Sequence, residues 1–465
     1  MTETKLRLTG RQYATLREHL FPGDGLEAVA LALCGRHYVD VHVLTVQRVV
    51  PIPHRECRRD RLRVRWSPAA HVAVLEDAMR GGLAVVKVHS HPDGTTRFSD
   101  FDDSADHDFF NAVAGWVDGE TPHASVIMLP TGGMFGRAIF PSGDHANLAS
   151  IVVAGDDLHV WQREDAVLRL PEFVKRHAQL FGNGTTARLR QLSAAVVGCS
   201  GTGSIVVELL ARLGIGRLVL VDPDRVEEKN LNRILNATME DAEKGRLKVD
   251  VLARAVKAMG FGTEVITVPD NVATPAAVRA VADCDVAFGC MDSAEGRHTL
   301  NRLCVFYVIP YFDVGVRLDG DGRGGIDQVC GAVRYVQPDG PSLLSRGVYT
   351  MDDVRAEGMK RTTPELYAEQ VRSRYIRGVA EDRPAVISVN MQLGSLMVNE
   401  FLARVHPYRL DPNAEFATVT MSLSQGELYR EAEGSPCAVF ARHLGRGDVR
   451  PLLDMPELTE AREEG

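Results

Sequence analysis

Short apolar runs alternate with amphipathic stretches along most of this chain. Residues 83–88, 194–197, 218–221 and 286–290 are runs of the kind that make strands buried on both faces. Residues 11–20, 68–79, 205–213, 236–259 and 275–281 carry apolar positions at helical spacing, and Thr274 followed by a proline marks a helix start. Residues 27–35 and 38–50 read as strands. Residues 124–129 and 134–140 flank a Pro-Thr-Gly-Gly turn and predict a hairpin, and 151–154 pairs with 158–161. The pattern predicts a compact α/β unit over residues 1–165. A second unit over 166–465 begins with a doubly wound sheet.

Composition narrows the classes. The 465 residues suffice for more than one domain, and the net charge of −9 leaves no basic footprint for nucleic acid. The eight cysteines are scattered with no CxxC pair, which predicts reduced thiols and a cytoplasmic protein rather than a disulfide framework. The first twenty residues are polar and charged, so no signal peptide is expected, and no apolar run is long enough for a bilayer.

One candidate site lies in the first unit. His89 and His91 are two apart on an extended segment, so their imidazoles share a face and can meet one metal ion. Asp102 returns from the next helix as a third ligand, leaving a position for water, the arrangement of a catalytic zinc site. Zinc lowers the pKa of such a water towards neutrality. Glu27, on a neighbouring strand, is the candidate general base, and Ser99 the candidate donor to an oxyanion. Asp103 and Asp106 are weaker alternative ligands in an acidic helix start. The spacing His-Ser-His-Pro, six residues, Ser, two residues, Asp resembles the JAMM (JAB/MPN) metalloproteases. Residues 27–35 resemble that family's strand bearing the catalytic acid, with Ala30 where glycine is common. The resemblance implies zinc at His89, His91 and Asp102. It also implies hydrolysis of a peptide or isopeptide bond after the C-terminus of a ubiquitin-like protein.

The second candidate site follows the strand at 194–197. Gly198-Cys199-Ser200-Gly201-Thr202-Gly203 is a tight turn opening a helix, a shape that presents free N–H groups to phosphate. Asp222 closes the next strand and suits ribose hydroxyls. Asn230, Arg233 and Lys248 follow, and two cations with an amide suit a triphosphate better than a nicotinamide. Asp292 stands just past a strand end, where it can hold Mg²⁺ or cap a helix.

Residues 176–316 resemble the ThiF/MoeB adenylyltransferases, whose fold is shared with ubiquitin-activating enzymes. The resemblance rests on VVGCSGTGS, LVDPDRVEEKNLNR, the lysine of GRLKVDV and CMDS. It implies that the C-terminal carboxylate of a ubiquitin-like protein attacks the α-phosphate of ATP, giving an acyl-adenylate and pyrophosphate. It further implies that Asp222 holds ribose, that Asn230, Arg233 and Lys248 hold phosphates, that Asp292 holds Mg²⁺, and that Arg176 reaches the ATP of a partner subunit in a homodimer.

The chain departs from that family where relatives carry two CxxC pairs. Ser342, Ser345, Cys437 and Phe440 stand there, so no zinc is expected in this half. The crossover segment at 337–384 has no cysteine for a thioester. The acyl-adenylate is therefore expected to pass directly to an acceptor, with an oxyester on Ser342 or Ser345, or a thioester on Cys437 or Cys330, as alternatives. The reading is a two-headed enzyme of a prokaryotic ubiquitin-like system, of the kind linked to phage defence. It uses ATP, Mg²⁺ and Zn²⁺, and its partners are a ubiquitin-like protein and a conjugating-enzyme-like acceptor. Sulfur-carrier activation, peptide adenylation in natural-product assembly and a non-catalytic binding module are the rival readings.

Overall fold

The computed structural model describes residues 3–162, 170–321, 323–372 and 384–459. The chain divides into two compact units. The first is Met1–Leu168 together with Phe306–Val308 and His443–Arg450, and the second is Arg169–Val305, Ile309–Arg442 and Pro451–Gly465. The boundary expected near residue 165 lies outside the described residues.

The first unit is built on a nine-stranded mixed sheet. Its strand order is Leu158–Gln162, Ser150–Ala154, Thr4–Thr9, His42–Pro51, Val29–Tyr38, Ala84–Ser90, His123–Met128, Met134–Ile139 and His145–Asn147. Two apolar clusters cover its faces. One gathers Leu6, Leu16, Leu20, Ala30 and Val86, and the other gathers Val29, Leu31, Val85, Phe109 and Val113. The strand Ala84–Ser90 is buried along its whole length, as its unbroken apolar start requires. The helix Asp100–Trp116 packs beside it, capped by Ser99, whose hydroxyl accepts from the Asp102 N–H. A small hairpin, Cys57–Arg59 with Val64–Trp66, stands outside the main sheet.

The second unit has an eight-stranded sheet in the order Glu264–Val268, Arg217–Val221, Ser193–Val197, Val286–Gly289, Tyr311–Gly320, Ile326–Val336, Thr418–Ser422 and Glu427–Glu431. The first five are parallel, and the strand order reverses beside Ser193–Val197, the crevice where doubly wound sheets hold ligands. The last three add on antiparallel. The helices Gly201–Leu213 and Ile387–Val405 pack against one another over this sheet.

The single helix expected over 236–259 is two: Met239–Glu243 and Lys248–Met259. Gly245 sits at φ +54°, a conformation that ends the first helix, and the Arg246 carbonyl then accepts from the Val226 N–H. Residues 351–372 form two helices, Met351–Thr362 and Pro364–Arg372, parted at a proline. No helix among the described residues is long and apolar enough to cross a membrane.

Candidate metal centre and nucleotide cavity

In the first unit the sheet and one helix bring His89, His91 and Asp102 together. One ligand atom from each lies within 4.8 Å of the others, and all three residues are buried. His89 Nε2 is 3.1 Å and His91 Nε2 3.5 Å from the Asp102 carboxylate. His91 donates from Nδ1 to the Thr95 carbonyl at 2.9 Å, which turns its Nε2 towards Asp102. Neither ring nitrogen of His89 makes a hydrogen bond of ordinary geometry, although the residue is 2% exposed. Burial pushes that imidazole down to about 4, so it is neutral at pH 7. A buried, neutral, unsatisfied imidazole is what a metal ligand looks like without its ion. The donor set of two nitrogens and a carboxylate fits zinc.

Glu27 precedes the strand Val29–Tyr38, in which Val29 pairs with His89. Its neighbour Ala28 exchanges hydrogen bonds with Ser90, through the Ser90 hydroxyl and N–H. Glu27 is 3% exposed, its Oε2 has no hydrogen-bond partner, and burial pushes its carboxyl up to about 8. Ser99 gives its hydroxyl to Asp102 Oδ2 at 2.7 Å, so its first duty is to hold that ligand. The alternative ligands are occupied elsewhere. Asp106 is paired with Lys87 and Arg137 and accepts from Ser125, and Asp103 is bound by Arg137.

In the second unit the switch point of the sheet opens into a cavity of about 560 Å³. Gly198, Ser200, Gly201, Asp222, Asn230, Arg233, Lys248 and Asp292 all line it. Gly198 has φ +89°, and a Cβ there would stand 2.8 Å from the Cys290 carbonyl carbon, so glycine lets two strand ends converge. Gly203 does not line the cavity. A Cβ at that position would strike the Gly198 carbonyl oxygen, so this glycine serves the close packing of turn and helix. Asp222 is tied by both oxygens: Oδ2 accepts from the Cys199 N–H at 2.7 Å and Oδ1 from the Asp224 N–H at 2.9 Å. Lys248, 5% exposed, donates to Asp224 at 2.6 Å and stands 3.8 Å from Asp222. Asn230 accepts through Oδ1 from the Glu227 N–H, leaving its amide nitrogen as a donor.

The cap of the helix Ala294–Phe306 is not Asp292. Ser293 accepts from the Gly296 N–H at 3.2 Å, and Asp292 stands one residue earlier, exposed at the cavity. Arg176 is exposed on the helix Lys175–Leu189 and does not line the cavity of its own chain.

Asn390, Arg297 and Asp313, at or behind the cavity, went unassigned in the sequence. Asn390 lines the cavity, 5% exposed, on the helix Ile387–Val405. Its signal was an amide on an otherwise apolar face. Arg297 lines the cavity and donates to Asp313 at 2.9 Å, and Asp313, fully buried, also accepts from Arg334 and Tyr311. Ser342, Ser345 and Cys437 form one cluster outside the cavity lining. Burial raises the Cys437 thiol. Hydrogen bonds involving Ser342, the Phe440 and Val439 backbone and Ser345 outweigh it, so the thiol sits below its ordinary value.

Residues 174–435 match the ThiF family, and residues 11–130 match the prokaryotic homologs of the JAB domain. A ubiquitin-like modifier-activating enzyme 5 from Aedes aegypti is 29% identical over 163 residues, 32% of this chain and 38% of the relative. The adenylyltransferase and sulfurtransferase UBA4 of Meyerozyma guilliermondii is 32% identical over 143 residues, 30% of this chain and 33% of the relative. The chain thus spans about two fifths or less of the length of these curated relatives. A crystal structure of E. coli MccB with succinimide aligns at a TM-score of 0.43 and 18% identity, over 58% of this chain and 73% of that one. Both resemblances read from the sequence are borne out: the chain belongs to the ThiF family and carries a JAB-type domain ahead of its ThiF region.

Proposed function

We propose that the chain is a two-headed enzyme of a prokaryotic ubiquitin-like system, adenylating the C-terminus of a ubiquitin-like protein and trimming or removing that protein. One observation carries the first activity. Gly198, Ser200, Gly201, Asp222, Asn230, Arg233, Lys248 and Asp292, picked from separate stretches of sequence, line one cavity.

The proposed chemistry follows from those residues. The turn and the N-terminus of Gly201–Leu213 present N–H groups to phosphates, and Asp222 takes the ribose. The substrate carboxylate oxygen bonds to the α-phosphorus while the bond to the β-phosphate oxygen breaks, and pyrophosphate leaves with the electron pair. Arg233 and Lys248 offset the charge that builds on the phosphates. Asp292 would hold Mg²⁺ there. In this reading the reaction ends at the acyl-adenylate, because the crossover segment at 337–384 has no cysteine for a thioester; Ser342, Ser345 and Cys437 lie outside the cavity lining. A conjugating-enzyme-like protein then takes the acyl group. Arg176, absent from its own cavity, would serve the partner subunit of a homodimer. The eight cysteines are scattered along the chain with no CxxC pair, which supports a cytoplasmic setting.

In the JAB-type domain His89, His91 and Asp102 would hold zinc. Zinc bound there supplies Lewis-acid polarisation. Glu27, buried with one oxygen unsatisfied, takes and returns the proton of the hydrolytic water. Ser99 keeps Asp102 oriented and stands beside the centre as a hydroxyl donor.

Mass spectrometry of the protein incubated with ATP, Mg²⁺ and a candidate modifier tests the first head. An adenylate without an enzyme-linked ester supports it, and an ester on Ser342, Ser345 or Cys437 replaces its final step. Cleavage of a modifier fusion tests the second head, and equal cleavage by the His89→Ala protein contradicts it.

A further inference from the structure

The hairpin Cys57–Arg59 with Val64–Trp66 is the most basic stretch of the chain. Residues 54–66 hold Arg55, Arg58, Arg59, Arg61, Arg63 and Arg65 against two acids, in a protein whose net charge is −9. Two of these cations are satisfied. Arg59 binds Asp24 and the Glu27 carbonyl, and Arg55 lies 3.7 Å from Glu56. Among the described residues, Arg58, Arg61, Arg63 and Arg65 have no carboxylate partner, and all four are exposed.

The arrangement opposes like charges. Arg58 pairs directly across the hairpin with Arg65, a juxtaposition that destabilises a two-stranded ribbon. Val64 anchors the opposite face at 6% exposed, and Trp66 is tied to His71, so Arg58 and Arg65 share the outward face. A two-stranded ribbon has little stability of its own to give away. Four guanidiniums without a carboxylate on such a ribbon make sense when an anion from outside completes the surface.

The ribbon is fastened to both sides of the candidate metal centre. The Glu27 N–H donates to the Asp60 carbonyl at 2.8 Å, and the Asp60 N–H to the Arg63 carbonyl at 2.9 Å. On the other side the guanidiniums of Arg63 and Arg65 lie 5.1 and 5.0 Å from the centre of the Phe101 ring. Phe101 is the residue before Asp102. The cationic face therefore runs from the residue proposed as base to the residue proposed as ligand.

We propose that this face binds an acidic segment of the polypeptide being cleaved, next to the scissile bond, with Arg58, Arg61, Arg63 and Arg65 as its carboxylate-binding residues. The proposal rests on the peptidase reading of the JAB-type domain and names its substrate class. Arg58 and Arg65 present paired forks at one height of the ribbon, which suits carboxylates spaced along an extended chain. Peptide is favoured over nucleic acid because the face runs between Glu27 and the helix start that carries Asp102, and because the chain as a whole is acidic.

The test measures binding apart from turnover. A fluorescent peptide with four glutamates is titrated against the metal-stripped full chain at low and at raised salt, beside a neutral peptide and a single-stranded RNA. The acidic peptide is expected to bind, to weaken with salt, and to lose at least about fivefold in affinity in the double variant Arg58→Gln/Arg65→Gln. The double variant Arg58→Lys/Arg65→Lys should bind more nearly like the wild type, with a melting temperature no lower than the wild type's confirming the fold of both. Equal binding of acidic and neutral peptides, or no effect of Arg58→Gln/Arg65→Gln, overturns the proposal, and RNA binding tighter than the acidic peptide reassigns the face. In cleavage assays on zinc-loaded protein, modifier fusions with acidic flanks should be preferred over neutral ones, and that preference should fall in the same variant. Arginine-dependent binding without any cleavage supports the face and counts against the peptidase reading alone.

Discussion

The side-chain amide of Asn390 occupies the space that Gly201 leaves open: a Cβ on residue 201 would stand 2.3 Å from Asn390 Nδ2. The turn residue and the helix Ile387–Val405 are fitted to one another at the cavity wall. Gly201→Ala therefore has to push Asn390 aside, and overpacking of this kind costs about 1–3 kcal/mol. The expected result is a rise of about tenfold in the KM for ATP, with most of it recovered in Gly201→Ala/Asn390→Ala. An unchanged KM in Gly201→Ala would remove Asn390 from the account of the site.

Asp313 is the shared counter-charge of Arg297 and Arg334 behind the cavity. Asp313→Asn leaves two buried or half-buried cations without it, a loss of about 3–5 kcal/mol for broken buried pairs. Thermal unfolding should show a lowered transition, and the affinity for ATP should fall with it because Arg297 lines the cavity. A melting temperature equal to the wild type would show that the pairs contribute nothing to folding.

The sequence made the parallel core legible because each of its strands is a short apolar run with a turn or acid at its end, as in 194–198 and 218–222. The antiparallel extension escaped notice for a matching reason. Glu427–Glu431 is exposed at every position, and Ile326–Val336 begins with exposed Ile326 and Asp327 and a half-buried Gln328, so neither shows the buried-strand pattern. The strand Thr4–Thr9 was lost for another reason: its partners Ser150–Ala154 and His42–Pro51 are far along the chain, and charged Lys5 and Arg7 break its apolar run. At the sites, the His-Ser-His spacing placed the metal ligands. Asn390 and Asp313 act through tertiary contacts that no local spacing encodes.

His123 is held neutral. Burial pushes its imidazole from an ordinary value of 6.5 down to about 3, and its Nδ1 accepts from the Val85 N–H. A lowered histidine pKa means that the unfolded chain binds the proton first. The stabilisation is complete above pH 6.5 and drains away as pH falls from there towards 3. His123→Asn, which keeps an acceptor for Val85, should flatten this part of the stability–pH curve measured by urea unfolding. A curve as steep as the wild type would assign the acid sensitivity to other groups.

The metal centre separates binding from proton transfer. Native mass spectrometry should find one zinc per chain in the wild type and none in His91→Ala. Glu27→Gln should retain the zinc and lose cleavage of a modifier fusion by at least about a hundredfold, the scale of a lost general base. Loss of zinc from Glu27→Gln would make Glu27 a ligand instead.

The most direct measurement of the central claim is ATP–pyrophosphate exchange driven by a candidate ubiquitin-like protein, with its C-terminus either free or amidated. Exchange should require the free carboxylate and Mg²⁺, and should fall by at least about a hundredfold in Asp292→Ala and in Lys248→Ala. Exchange that ignores amidation, or that survives both substitutions, would contradict adenylation of a carboxylate in this cavity.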